Sequence, residues 1–490
     1  MHETHSLRER FLVFFKIFVP ILIYQFANFS AAFVDTTMTG QYDALHLAGV
    51  AMATSLWSPF FTFLTGIVSA LVPIIGHHLG AGRKDRVAPD FYQFLYMALG
   101  LSLILFALVF MGAPLVLGHL GLEPVVRKVA LGYLRFLSLG IIPLLLFSVV
   151  RSFLDALGLT RLSMYLMLLL LPLNGFFNFL LIYGIAGLPE LGGSGAGLGT
   201  SLAYWALFLI SIAVIRKHKK VKPYQIEKIQ PLDKTALLDA LKLGLPIGGT
   251  VFAEVSIFSG VGLVMAKYPS LVIASHQAAM NFSNLTYAFP LSVSSAMAII
   301  ISYEFGAKRM DAVKSYSKLG RLTALVFAGF TLFFLYFLRY DLAELYGHEP
   351  EFLRMTTVFM TYSLFFQVSD AFAAPLQGIL RGYKDTKVPF YLGVLSYWGL
   401  TFPVGYLLEK VAGLGPYSYW IGLIASLIVS GLCYQWRLNR IVKRYESHHK
   451  YTLNSLVRLL FLCSKLDNKE KASFILKTNK LLSMYRKFLL

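Results

Sequence analysis

Residues Gly76 to Val87 read GHHLGAGRKDRV, and 226 residues further on Ser302 to Val313 read SYEFGAKRMDAV. At that offset Gly80, Ala81, Arg83, Asp85 and Val87 meet Gly306, Ala307, Arg309, Asp311 and Val313. Working outward with the offset unchanged, Pro20 falls on Pro246, Phe26 on Phe252, Ala27 on Ala253, and Ser69 and Ala70 on Ser295 and Ala296. Leu154 then pairs with Leu380, Thr160 with Thr386 and Tyr165 with Tyr391. One gapless offset held over most of the chain marks an internal duplication, so the fold is to be read as two copies of one unit.

The unit is a membrane one. Hydrophobic residues make up 57% of the chain and charged residues 14%, against about 25% charged in a soluble globular protein. Apolar runs fall at roughly 11–36, 46–76, 91–112, 126–150, 162–186 and 196–216, then at 236–266, 271–302, 316–339, 353–380, 388–409 and 416–439. Runs of this length without polar alternation predict helices rather than a barrel, because a spanning segment must satisfy its backbone internally. The expected fold is all-α and polytopic, with twelve transmembrane helices in two six-helix lobes. Six is even, so both copies enter from the same side as parallel repeats, an architecture that works by alternating access around a central site.

Charge gives the orientation. Alternate loops are rich in Lys and Arg, among them Arg8, Arg10, Arg83, Lys84, Arg86, the run from Arg216 to Lys242, Lys308, Arg309, Arg381 and Lys384. The opposite set holds only Arg127, Lys128, Lys267, Arg339, Arg354 and Lys410. Both termini are therefore expected in the cytoplasm. The net charge of +19 belongs to these loops and to a tail from Arg437 with thirteen Lys and Arg against Glu446, Asp467 and Glu470. It expresses topology and attraction to anionic lipid rather than nucleic-acid binding. The divisions expected are an N-terminal lobe 1–215, a basic linker 216–235, a C-terminal lobe 236–442 and a basic tail 443–490. In that tail YTLNSLVRLLFLCSKL and FILKTNKLLSMYRKFLL read as amphipathic helices on the inner leaflet.

Several classes are excluded. Cys433 and Cys463 offer no disulfide framework and no metal spacing. The apolar run after Arg10 is too long for a cleavable signal and reads as a first span. No phosphate loop, HExxH or GxSxG occurs, so neither an ATP-driven pump nor a hydrolase is expected and no cofactor is called for. An ion gradient must supply the energy.

Polar groups at membrane depth carry the function. Glu254 stands in the middle of LGLPIGGTVFAEVSIFSGVG, Leu243 to Gly262, where an acid costs about 3 kcal/mol and is rarely idle. The alternative is a permanently protonated Glu bonded to a neighbouring helix. Asp370 in FFQVSDAFAAP is a second acid at depth; two carboxylates in low dielectric cannot both ionise cheaply, so a proton is held until a cation replaces it. The repeat sets Glu254 on Asn28 and Asp35 on Val261, so the acids are not duplicated. Asn174 and Asn178 share one helix face, as cation ligands or as plain interhelical bonds. Asp35 lies toward the outer end of the first span, where a solvated cap is its other reading. Arg135 reads as snorkelling outward, and His77 and His78 as a helix end beside a basic loop. Phe258, Phe282, Tyr287 and Phe289 are ring faces near the second-lobe acids for a flat cation, or packing.

FVDTTMTG (33–40), LAGVAMATSLW (47–57), GAGR (80–83), LNGFFNFLLIYG (173–184) and LRGYKDTKVP (380–389) resemble the multidrug and toxic compound extrusion (MATE) family, NorM-like branch, over about residues 1–440. The resemblance implies a two-lobed antiporter with a V-shaped central cavity, acting as a monomer in a cytoplasmic membrane. It would expel cationic amphiphilic drugs in exchange for Na+ or H+. Position by position, Glu254 and Asp370 match the cation-site acids of the second lobe, with Na+ as the metal they would hold. Asp35, Asn174 and Asn178 match the first-lobe cluster; Asn28, the repeat partner of Glu254, is counted with that lobe's polar cavity groups from the residues alone and not from the resemblance. Phe366 stands where some relatives carry Tyr, removing one oxygen ligand and leaving a cavity ring. Lipid-linked oligosaccharide flippases share the superfamily and are the rival reading; they would want Arg or Lys inside, whereas the charges at depth here are mostly acidic.

Overall fold

The structure is a computed structural model that describes residues 3–265, 267–345 and 347–464, with side chains described throughout except at 32, 33, 270 and 448–464. The segment FILKTNKLLSMYRKFLL lies outside the described residues, as do the side chains of YTLNSLVRLLFLCSKL. Among the described residues every regular element is helical. The first copy contains α1 (Leu7–Tyr42), α2 (Ala44–Val68), α3 (Leu71–Gly80), α4 (Val87–His119), α5 (Pro124–Ala156), α6 (Thr160–Ile182) and α7 (Gly193–Lys217). The second contains α8 (Lys234–Met265), α9 (Ser270–Gly306), α10 (Met310–Glu344), α11 (Pro350–Gly382), α12 (Lys387–Val411) and α13 (Tyr417–Ser464).

The duplication is visible in these bounds. Shifted by 226 residues, α5 lands on α11 at both ends, and α2 with α3 lands on α9 from its first residue to its last. The run 46–76, read as one span, is broken at Ser69–Ala70 while its partner α9 is continuous. Ser69 Oγ bonds the carbonyl three residues back, on Gly66, at 2.7 Å, tightening the turn. Ser295 reaches four residues back to Leu291, as in a regular α-helix. Most helices also outrun their apolar runs, α4 and α11 among them, because caps and amphipathic ends extend beyond the hydrocarbon. The largest excess is in α13, whose 48 residues far exceed the roughly 20 needed to cross a bilayer.

Ten of the described helices are long and apolar enough to cross a membrane. The remaining two full-length helices, α11 and α12, complete the second lobe. Their lower hydropathy comes from buried polar groups such as Gln367, Ser369 and Asp370 on α11, and from proline, glycine, tyrosine and tryptophan on α12. Residues Met1–Tyr434 form one compact unit and the chain from Gln435 a second.

Local chemistry sets the helix ends. Ser6 and Glu9 form a reciprocal capping box at the start of α1. Asp43 ends α1 and caps α2, accepting from the amides of Leu45 at 2.8 Å and His46 at 3.1 Å. The linker between the copies is irregular, so its carbonyls need partners. Tyr92 donates to Ile226, Tyr96 to Gln230 and the Gln93 amide to Pro231, while Gln93 Oε1 accepts from the Asp233 amide. The linker is thus fastened along α4. In the second lobe Phe359 and Trp420 anchor the apolar core with Ile257, Val261 and Met265 of α8. The buried Trp420 indole donates to His276 Nδ1 at 3.1 Å, satisfying its one polar atom.

The lobes meet at the end that carries Arg83, Lys308 and the linker, called here the basic end. A Cβ on Gly80 would sit 2.1 Å from the Tyr303 carbonyl, and one on Gly306 would sit 2.5 Å from the His77 carbonyl. Gly80 and Gly306 are repeat partners, as are His77 and Tyr303, so α3 and α9 cross by a pseudo-twofold contact that only glycine permits. His77 Nε2 also lies 2.7 Å from the Gly382 carbonyl. Beside this crossing α2 packs on α8, with Gly66 against Gly248. The pseudo-symmetric counterpart is α1 on α9, with Phe26 edge-on to Phe289 at 5.6 Å. The apex of the V is therefore at the basic end.

Candidate functional site

Each lobe buries acid at membrane depth, and the two environments are built differently. In the first lobe Asp35 is buried on α1, which overturns its reading as a solvated cap. Asn178 Nδ2 on α6 donates to Asp35 Oδ1 at 2.6 Å and lies 3.2 Å from Asn174 Oδ1. Asn174 Nδ2 in turn donates to Thr200 Oγ1 on α7 at 3.0 Å, and that hydroxyl lies 3.2 Å from Asp35 Oδ2. The i, i+4 spacing of the two asparagines presents both amides to one acid. Close approach of α7 makes this possible: a Cβ on Gly199 would sit 2.2 Å from Asn178 Oδ1. Asn28, two turns back on α1, is half-buried and outside this bonded cluster among the described residues.

In the second lobe Glu254 on α8 and Asp370 on α11 are both buried. Tyr287 Oη on α9 donates to Glu254 Oε1 at 3.1 Å. Asp370 lies within electrostatic reach of Glu254, and its Oδ2 is buried with no protein partner. A carboxylate oxygen in that condition is costly unless a proton, a cation or water meets it. Sequence reasoning named Tyr287 as a ring; the structure shows its hydroxyl on the acid.

The remaining rings divide. Phe366 and Phe282 are buried in the apolar core of the second lobe. Phe258 is half-buried, edge-on to Phe366 at 5.2 Å. Phe289, also half-buried, stacks on Phe327 at 5.8 Å where α9 meets α10. Arg135 is exposed, with its guanidinium 5.8 Å from the Phe110 ring, as its snorkelling reading requires. His78 Nε2 lies 3.1 Å from Asp90 Oδ2 at the basic end.

Three groups escaped the sequence reading. Thr200 was hidden in the glycine-rich run GSGAGLGT, whose close packing was its only signal. Tyr24 and Asp155 were invisible singly, but the structure joins them: Tyr24 Oη donates to Asp155 Oδ2 at 3.0 Å, with the Arg151 guanidinium 5.5 Å from the Tyr24 ring. Arg381, read only as a loop charge, has its Nε buried without a partner while Nη2 donates to Ser294 Oγ at 2.9 Å. Among the described residues no group of three or more His, Cys, Asp or Glu is gathered as for a transition-metal centre.

Comparison with known proteins follows the same lines. The MatE family model matches twice, over residues 20–180 and 246–407, two segments whose starts are 226 residues apart. A probable multidrug resistance protein NorM from Streptococcus pneumoniae is 66% identical over 91% of this chain and 99% of its own length. One from Bacillus subtilis is 42% identical over the same shares. Among solved structures, the eukaryotic MATE transporter AtDTX14 superposes with a TM-score of 0.80 at 16% identity, covering 88% of this chain and 96% of the other. An outward-facing multidrug resistance MATE transporter gives 0.77 at 18% identity, with the same coverage of both chains. These likenesses carry the two-lobed fold, and the sequence relatives carry the family: this chain belongs to the multidrug and toxic compound extrusion family of membrane transporters.

Proposed function

We propose that the protein is a cation-coupled multidrug efflux antiporter that exports cationic amphiphilic compounds in exchange for Na+ or H+ by alternating access. The observation that carries this reading is the buried, under-partnered pair Glu254 and Asp370. Two buried acids within electrostatic reach of each other at membrane depth attract a cation and cannot both stay ionised cheaply without one. Either an inorganic cation or a positively charged cargo relieves them, so the two compete for one charge.

In this cycle an external cation binds the pair, through Glu254, Asp370 and the Tyr287 hydroxyl, and weakens the hold on cargo. The drug leaves outward, the lobes rock about the α3–α9 crossing, and the cation departs at the basic end, taken as cytoplasmic from its Lys and Arg. The freed carboxylates then draw in the next cargo. Coupling arises because each ligand has different affinities for the two states. Asp35 with Asn174, Asn178 and Thr200 supplies a second polar station in the first lobe. The half-buried rings Phe258 and Phe289 offer faces to a flat cation. A flippase for anionic lipid-linked sugars is disfavoured by the same acids.

The test is ethidium efflux from proteoliposomes under an imposed sodium gradient or an imposed pH gradient, for wild type and Glu254→Gln. Efflux driven by one gradient and lost in the variant is the expected result. Efflux that ignores both gradients, or a variant as active as wild type, would sink the reading.

A further inference from the structure

Below the second-lobe acids the repeat leaves an opening that the first lobe fills. On α8, Thr250 lies one turn from Glu254 on the same face. On α11, Gln377 and Arg381 follow Asp370 at i+7 and i+11, again on one face, about 10 and 16 Å farther along the helix. Thr250, Gln377 and Arg381 line a narrow cleft of about 10 Å³, room for a single water, with Ile247, and the turn into α12 contributes Asp385 and Thr386 at the basic end. The equivalent station in the first lobe is occupied. Thr250 is there replaced by Tyr24, Gln377 by Arg151 and Arg381 by Asp155. Tyr24 is 3% exposed, bonded to Asp155 and overlain by Arg151. A tyrosine thus plugs in one lobe what a threonine leaves open in the other.

Arg381, whose Nε is buried without a partner, lines the cleft. Asp370, whose Oδ2 is likewise without one, stands beyond its lining on the same face of α11, and Thr250 is the lining residue one turn from Glu254. We propose that this cleft is the route by which the coupling cation leaves the second-lobe acids toward the basic end, and that Arg381 is the charge that holds it shut while the lobes are joined there. A route open to the basic side while the V opens to the other would let cations leak and uncouple the exchange. A guanidinium fixed in the passage by Ser294 opposes that leak, and it also keeps the passage from becoming a second storage site, since transit requires weak binding. This inference rests on the antiport reading above.

The test uses the full-length protein in proteoliposomes without cargo, following the decay of an imposed sodium or pH gradient with an internal dye. Arg381→Gln should speed that decay about tenfold, the effect of a unit charge roughly 10 Å from the moving ion in a protein interior. Adding Thr250→Tyr, which copies the first-lobe plug, should return the decay to the wild-type rate. A merely structural role for Arg381 would lower efflux without producing a leak that a plug one turn below Glu254 can stop. An Arg381→Gln protein that still binds ethidium but does not leak overturns the proposal, as does a leak that Thr250→Tyr leaves untouched. Should Arg381→Gln fail to fold, Thr250→Cys in a Cys433→Ala, Cys463→Ala background decides. Labelling by an impermeant thiol reagent from the basic side alone supports the route; labelling from the other side, or none from either, refutes it. Wild-type ethidium efflux in the same vesicles separates the two claims. If neither gradient drives it, the antiport reading fails, while the leak assay still reports on the route.

Discussion

The first lobe surrounds its acid with donors: Asp35 receives the Asn178 amide and lies against the Thr200 hydroxyl, with Asn174 bonding both of them. The second lobe does the opposite, giving Glu254 one phenol and leaving an oxygen of Asp370 with none. The two stations also draw on different helices. The first uses α1, α6 and α7, the first, fifth and sixth elements of the repeat when the broken helix α2–α3 is counted once; the second uses α8, α9 and α11, its first, second and fourth. Asp35 lies seven residues beyond the position equivalent to Glu254, about 10 Å nearer the open end of the V. Duplication supplied two identical frames, and divergence placed a satisfied acid in one and an unsatisfied pair in the other. A satisfied acid is held in place. On the proposed antiport, an unsatisfied pair is a site that waits for a ligand.

That contrast can be broken in a definite order. Glu254→Gln or Asp370→Asn should have the largest effect, removing a charge-assisted attraction of about 3 kcal/mol and lowering gradient-driven ethidium efflux about a hundredfold. Asn178→Leu comes next. It strands the Asp35 carboxylate at a cost of about 1–3 kcal/mol, read as a lower Tm of the purified protein, and equal damage to cation dependence would erase the distinction between the lobes. Tyr287→Phe removes one hydrogen bond and should change the cation concentration for half-maximal efflux only a few-fold, about 1 kcal/mol. The smallest effect is expected at the far rim of the second lobe. There Glu409 accepts from Lys267 at 2.7 Å, from Tyr419 at 2.7 Å and from Tyr268. Lys267→Ala should cost at most about 1 kcal/mol of thermal stability, because the lysine is largely solvent-facing, and should leave efflux unchanged.

Much of this was legible in the sequence because the repeat is gapless. Pro20 and Pro246, or Gly80 and Gly306, locate equivalent stations without a structure, and Glu254 and Asp370 stand out because an acid in an apolar run is expensive. What was not legible depends on distances across helices. Thr200 meets Asp35 across 165 residues of chain, and Tyr287 looked like any ring until its hydroxyl was placed on Glu254. Arg381 resembled a topogenic loop charge, since it ends α11 beside Lys384; only packing against Ser294 turns it inward. The break at Ser69–Ala70 had no signal either, because its repeat partner carries the same two residues in unbroken helix.

The central claim is that inorganic cation and cargo compete for the second-lobe pair while the first-lobe acid is held by its own donors. Equilibrium ethidium binding to the purified protein, followed by fluorescence anisotropy while Na+ or H+ is raised, tests it most directly. Cation should displace ethidium from wild type and from Asp35→Asn, and should lose that effect in Glu254→Gln and Asp370→Asn. Displacement that survives in both second-lobe variants and disappears in Asp35→Asn would contradict the account and move the exchange site to the first lobe.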